Sequence, residues 1–169
     1  MSPHEIDHAV AATISRFKQI DLLVNDAGIA WMGPALDMPL AALQAMLRVN
    51  VEGVFIMSRA ALPHMIARHS GSVINLASWA GKTGPAHFAG YGASIFVVIG
   101  LTQALAREMA PHGIRVNAIC PGIVVDTAMR AATVSVPDDV ARIAAFLASD
   151  ESSYMTGESI NLSGGLLMD

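Results

Sequence analysis

Four short runs of β-branched and apolar residues recur along the chain, each separated from the next by a longer stretch with helical periodicity. The runs are DLLVN (Asp21 to Asn25), SVINL (Ser72 to Leu76), IRVNAI (Ile114 to Ile119) and SINL (Ser159 to Leu162). They are nearly continuous in apolar character. That is the pattern of parallel strands covered on both faces, not of half-exposed strands that alternate. Helical stretches span Pro3 to Lys18, Leu40 to His69, Gly90 to Pro111 and Pro137 to Ser149. This order predicts right-handed crossovers and a doubly wound α/β sheet of about four parallel strands with flanking helices. No repeat or low-complexity linker interrupts the alternation. The 169 residues suit one domain over residues 1–169 with a real core, and are too few for two ordinary ones. In such sheets ligands bind beyond the carboxyl ends of the strands. The segments leaving those ends, DAGIA, ASWAGKTG, CPGIVVDT and SGGLLMD, are therefore where function is expected.

Composition narrows the partners. The chain is 53% hydrophobic and only 14% charged, which calls for elements buried on both faces or for an apolar surface that a partner covers. A net charge of -4 offers no basic footprint for nucleic acid. The single cysteine, Cys120, has no internal disulfide partner, so the chain reads as intracellular and cytoplasmic. MSPHEIDHAV has neither a basic n-region nor an apolar run, so it does not read as a signal peptide. The most apolar window, Ile95 to Ala106, is broken by Gly100, Thr102 and Gln103. It falls short of the ~20 residues that a membrane span needs.

Two motifs invite readings that their surroundings do not support. His4-Glu5-Ile6-Asp7-His8 matches the zinc-protease pattern H-E-x-x-H, but no further histidine follows at zincin spacing. Ser2 as N-cap, Pro3 at the first helical position and Glu5 in a capping box explain it better, with His4 and His8 on an exposed turn. Gly81-Lys82-Thr83 looks like the end of a phosphate loop, yet Leu76 stands where that motif needs a glycine. His64 and His69 read as solvated helix residues and His112 as part of a turn, so no metal site is expected.

One constellation does carry chemistry. Ser78 follows SVINL, Tyr91 opens the next helix thirteen residues on, and Asn50 lies within the long preceding helix. VNDAG (Val24 to Gly28), APHGIRVNAICPG (Ala110 to Gly122) and FLASDESSYMTGESINLSGG (Phe146 to Gly165) stand in order around them. Taken alone, Asn50 and Ser78 would more often be structural. Together these motifs closely resemble the short-chain dehydrogenase/reductase family, from about Ile6 to Met168. The resemblance implies an oxidoreductase that moves a hydride between NAD(H) or NADP(H) and a small-molecule secondary alcohol or ketone. It implies that Ser78 steadies the substrate oxygen, that Tyr91 donates or accepts the proton, and that Asn50 holds a water in the relay. Asn25, Ala27 and Gly28 match the turn beside the adenosine half of the cofactor, with Asp26 in place of a second asparagine. Pro121, Gly122 and Ile123 match the loop along the nicotinamide, and Thr127 the residue that bonds its carboxamide.

Three departures from the family pattern stand out. Ile95 occupies the position of the family's lysine, one helical turn from Tyr91. That lysine supplies a positive charge that favours the phenolate and a donor to the cofactor ribose. Isoleucine supplies neither, and extends an apolar stripe Ile95, Val98, Thr102, Leu105, Met109. No G-x-x-x-G-x-G turn precedes DLLVN, so the first βαβαβ portion of the family, roughly 60–80 residues, is expected to be missing. LLVN then becomes a sheet edge. Between Met129 and Asp138, RAATVSVPD replaces a longer substrate lid. The expectation is lost or severely impaired activity. The alternatives are a non-catalytic interaction protein that forms homo-oligomers or binds a full-length relative, and a degenerate or mis-started gene product.

Overall fold

The computed structural model describes residues 3–123 and 137–168. The first helix, α1 (Pro3–Phe17), buries Ile6 and Val10 four residues apart, so a single stripe faces the fold. It ends where Lys18 takes a left-handed φ of 68°. Strand β1 (Leu22–Asn25) follows, then a loop and α2 (Leu40–Met46). The helix continues through a wider π-helical turn, Leu47–Glu52, into α3 (Gly53–Ile66). The expected helix Leu40 to His69 is thus real but not uniform, and it stops at Ile66. His69 lies in the turn beyond it with φ 51°, because the Arg68 and Ser70 amides both close onto the Met65 carbonyl. Strand β2 (Gly71–Leu76), a short α4 (Ala80–Thr83), the long α5 (Ala89–Met109), β3 (Ile114–Pro121), α6 (Pro137–Ala148) and β4 (Ser159–Leu162) complete the chain.

The four strands form one parallel sheet in the order β1-β2-β3-β4. Register is set by one continuous row: Asn25 pairs with Asn75, Asn75 with Ala118, and Ala118 with Ser159. Helices α3 and α5 cover one face, where Leu23, Met65, Val73, Leu105 and Val116 share a core. Helix α6 covers the other, where Leu147 packs on Ile74 and Ile119. The sheet is doubly wound, as the strand pattern predicts. The strand order steps in a single direction, with α6 on the face opposite to α3 and α5.

The apolar stripe of α5 is buried along its whole length: Ile95, Val98, Thr102, Leu105 and Met109 all face the sheet. At the far end of the sheet Arg115 closes α6. Its guanidinium donates to the Leu147 carbonyl at 2.7 Å, the Ser149 carbonyl at 3.1 Å and the Ser152 hydroxyl at 2.6 Å. A cation there also complements the negative end of the helix. By length and composition, Leu40–Ile66 and Ala89–His112 are apolar enough to cross a membrane, with mean hydropathies of 1.4 and 1.5 over their most apolar stretches. That differs from the sequence expectation. In the fold, however, both helices bury hydrogen-bonded polar side chains, Asn50, Ser58, Ser94 and Thr102, against the sheet.

Candidate active site

The carboxyl ends of β1, β2 and β3 lie side by side because the strands are parallel and in register. Their exits bring Gly28, Ser78 and Pro121 to one edge of the sheet. The Trp79 amide donates to the Pro121 carbonyl at 3.0 Å, and the Gly122 amide to the Leu162 carbonyl at 2.8 Å. A Cβ on Gly122 would stand 3.1 Å from the Ser163 Cα, so the loops after β3 and β4 meet where only glycine fits comfortably. Pro121 and Gly122 thus act here through their backbone, and Ile123 beside them is half-buried. Thr127, and the segment in which a shortened lid was expected, lie outside the described residues.

Ser78 and Tyr91 come together. The Ser78 hydroxyl lies near enough to the Tyr91 phenol to favour its ionised form. It accepts the Ala80 amide at 3.3 Å, which fixes its orientation at the start of α4. Burial pushes the phenol above its ordinary value of 10.0; the Ser78 hydroxyl opposes this and the nearby Cys120 thiol adds to it. Ile95 is part of the reason. It is 4% exposed and shares an apolar cluster with Val54, Ala77, Val98, Ala118 and Cys120, with Tyr91 packed against the same group. Helix α4 sits directly on it: a Cβ on Gly81 would stand 3.0 Å from both the Cβ and the carbonyl carbon of Ile95. A neutral phenol paired with a hydroxyl can donate a proton to a carbonyl oxygen. It is a poor base near neutrality.

This shift has a measurable sign. A phenol whose folded pKa is raised adds stability below its unfolded value, and that stability is lost as pH climbs through the folded value. The chain has two tyrosines. Subtracting the phenolate absorbance titration of Tyr91→Phe from that of the unaltered chain should therefore isolate Tyr91, with a midpoint above 10.0. A midpoint at or below 10.0 would show that desolvation by the Ile95 cluster does not dominate.

Asn50 sits in the π-helical turn, 2% exposed. Such turns recur at functional sites because they re-aim a side chain. Its Oδ1 accepts the Ile29 amide at 2.9 Å, and its Nδ2 donates to the Ile29 carbonyl at 2.9 Å and to the Ser94 hydroxyl at 2.9 Å. Ser94 in turn donates to the Tyr91 carbonyl at 2.7 Å. One chain of bonds therefore joins the loop after β1, the π-helical turn and the first turn of α5. Sequence reasoning missed Ser94. Its position three residues after Tyr91, on the buried face of the same helix, was the available signal. Asn25 points inward. Its amide donates to the Asn75 Oδ1 at 2.8 Å and more weakly to the Ser58 hydroxyl at 3.4 Å, and Asn75 donates to the Thr102 hydroxyl at 2.9 Å. The side chain of Asn25 is thus used to bind β1 to β2. Ala27 and Gly28 are exposed at the cleft edge. Among the described residues no group of three metal-binding side chains comes together.

The residues present fit a nicotinamide cofactor only in part. The backbone at Ala27 and Gly28 is exposed at the strand ends and Ile123 is half-buried there. Position 95 offers an apolar, covered side chain where the resemblance implies a lysine that donates to the cofactor ribose.

Comparison with known proteins places this geometry. The model for "short chain dehydrogenase" matches residues 1–137. The 3-oxoacyl-[acyl-carrier-protein] reductase FabG of Thermotoga maritima is 35% identical, over 97% of this chain and 73% of the relative. The corresponding reductase of Synechocystis sp. is 35% identical over 97% of this chain and 72% of its own. A solved NAD+-bound xylitol dehydrogenase superposes with a TM-score of 0.90 at 30% identity, covering 97% of this chain and 75% of that one. ElxO with NADP bound gives 0.91 at 26% identity, covering 97% and 74%. With the parallel sheet, the Ser78–Tyr91 pair and the buried Asn50 all in place, these matches make the chain a member of the short chain dehydrogenase family.

Proposed function

We propose that the site is an oxidoreductase site of the family's kind, built to exchange a hydride between NAD(P)(H) and a secondary alcohol or ketone, whose proton transfer is severely impaired in this chain. In this reading Ser78 and Tyr91 hold the substrate oxygen, Asn50 supports the relay, and Pro121, Gly122, Ile123 and Thr127 lie along the nicotinamide. Ala27 and Gly28, with the backbone at Asn25, border the adenosine half. When bound, the cofactor supplies the hydride. Tyr91 supplies the proton, and without a cation at position 95 only the Ser78 hydroxyl favours its phenolate, against the larger effect of burial. The observation that carries the reading is the buried contact between Tyr91 and the Ile95 cluster.

Titration calorimetry of the 169-residue chain with NAD(H) and NADP(H), and a dehydrogenase assay with secondary alcohols, test it. The expected result is no binding at physiological cofactor concentration and turnover at or near background. A sub-millimolar dissociation constant with either cofactor, or ready turnover, would defeat the claim of impairment.

A second reading is a non-catalytic, cytoplasmic interaction protein that assembles with itself or with a full-length relative. It is supported by apolar side chains on the outer faces of α3 and α5, where Phe55, Phe96 and Val97 are 46%, 48% and 45% exposed. Leu22 and Val24 on the edge strand β1 add 41% and 42%. Light scattering at low micromolar concentration should then show a dimer or larger species, and Phe55→Asp with Phe96→Asp should dissociate it. A cooperative 17.7 kDa monomer before any substitution would exclude self-assembly.

A further inference from the structure

Among the described residues, a row of aromatic rings stands beside the Ser78–Tyr91 pair. Trp79 follows Ser78 directly, and its ring centroid lies 6.2 Å from that of Phe88 at 59°. Phe88 lies 6.2 Å from Tyr91 at 56°. The three rings form a tilted row, and each is only half-buried. Both ends of the row are held. Phe88 stands at the N-terminal boundary of α5, and the Gly92 amide returns to its carbonyl at 2.6 Å. The neighbouring His87 carbonyl accepts the Gly33 amide at 2.9 Å. That ties Phe88 to the loop whose start Asn50 clamps at Ile29. Trp79 is fixed through its amide on Pro121.

The segments that converge here, Ala27 to Leu36, Ala77 to Gly81 and Phe88 to Ile95, contain no charged residue. Lys82, the next cation along, turns its ammonium to the Ser159 carbonyl on β4 at 2.8 Å. A carboxylate or phosphate next to the reacting carbon would therefore be desolvated with no cation from these segments to pair with it. A flat apolar ring would instead find tilted ring faces at the spacing that aromatic groups favour.

We propose that this wall selects a neutral aryl ketone or aryl secondary alcohol, its ring against Trp79 and Phe88 and its oxygen at Ser78 and Tyr91. The inference deepens the oxidoreductase reading of the same site and rests on it for the chemistry. Its test needs no turnover. Acetophenone, 2-butanone and phenylglyoxylate are titrated separately into the unaltered chain, with ligand-observed saturation-transfer NMR as the readout. Acetophenone should bind in the millimolar range or tighter, about tenfold better than 2-butanone. Phenylglyoxylate, the same ring with a carboxylate on the carbonyl carbon, should bind at least about tenfold more weakly than acetophenone. Trp79→Ala and Phe88→Leu should each weaken acetophenone about tenfold and leave 2-butanone unchanged. Phe88→Leu removes the ring but keeps an apolar side chain, so an unchanged urea midpoint confirms that the fold survives. Undetectable acetophenone binding, equal binding of phenylglyoxylate, or insensitivity to both substitutions would overturn the proposal. If a cofactor binds below the millimolar range or turnover is ready while acetophenone still binds against the wall, the claim of impairment falls and this one stands. If cofactor binding and turnover stay at background and acetophenone does not bind, the reverse holds.

Discussion

Ile95→Lys should lower the stability of the chain by about 3 kcal/mol or more, and should not create dehydrogenase activity with a panel of secondary alcohols. The loss has two sources. Removing a 4% exposed isoleucine from the Val54, Ala77, Val98, Ala118 and Cys120 cluster forfeits apolar burial worth roughly 1.5–3 kcal/mol. Placing an ammonium in the same space, with α4 seated on it through Gly81, adds the cost of desolvating a charge. The two are separable by pH. The neutral amine is the tolerated form, so the deficit in urea midpoint should shrink as pH rises toward the ordinary lysine value. The packing loss should persist. A variant as stable as the parent would refute the packing account of Ile95. Measurable reduction of NAD(P)+ by the variant would make the scaffold a working enzyme framework that lacks one side chain, and the non-catalytic reading would be abandoned.

Asn50→Ala should be almost as costly, about 2–4 kcal/mol, although it deletes only a few atoms. Three hydrogen bonds converge on this amide, two to the Ile29 backbone and one to Ser94. Truncation leaves those partners without it in a site that is 2% exposed. The signature should be local as well as global. Amide hydrogen exchange at Ile29 should lose its protection, and the loop through Gly33 should exchange faster, because Asn50 is what binds that loop to the π-helical turn. Asn50→Asp keeps the shape and the acceptor but loses the donation to the Ile29 carbonyl and to Ser94. It should therefore preserve the Ile29 amide bond while still destabilising. Unchanged exchange at Ile29 in Asn50→Ala would show that the loop is held by the His87–Gly33 bond alone.

Much of the fold was legible in the residues. The four apolar runs are the four strands, to within a residue at most ends, because strands covered on both faces tolerate few polar side chains. The stripe from Ile95 to Met109 is buried as its spacing required, since a helix lying on a sheet presents every third or fourth residue to it. Ser78 and Tyr91, which the family resemblance singled out, lie close together in the fold.

Other features were not legible, and for a common reason. Periodicity tells which face a residue occupies but not what stands opposite. Asn25 reads as a cleft residue until the register sets it against Asn75, which turns its amide into a strand-to-strand bond. Ser94 reads as filler in an apolar helix until the π-helical turn swings Asn50 onto it. Trp79 and Phe88 are nine residues apart in the chain, and only the path of α4 and its following loop lays their rings side by side. The sequence by itself determined the elements, their apolar faces and the apolar residue one helical turn from Tyr91, because these depend on residue type and spacing along one chain. The tertiary structure alone decided which buried polar groups satisfy one another and which rings line the cleft, because hydrogen bonds and ring contacts are short-ranged and are chosen only when register and helix packing bring distant residues within reach.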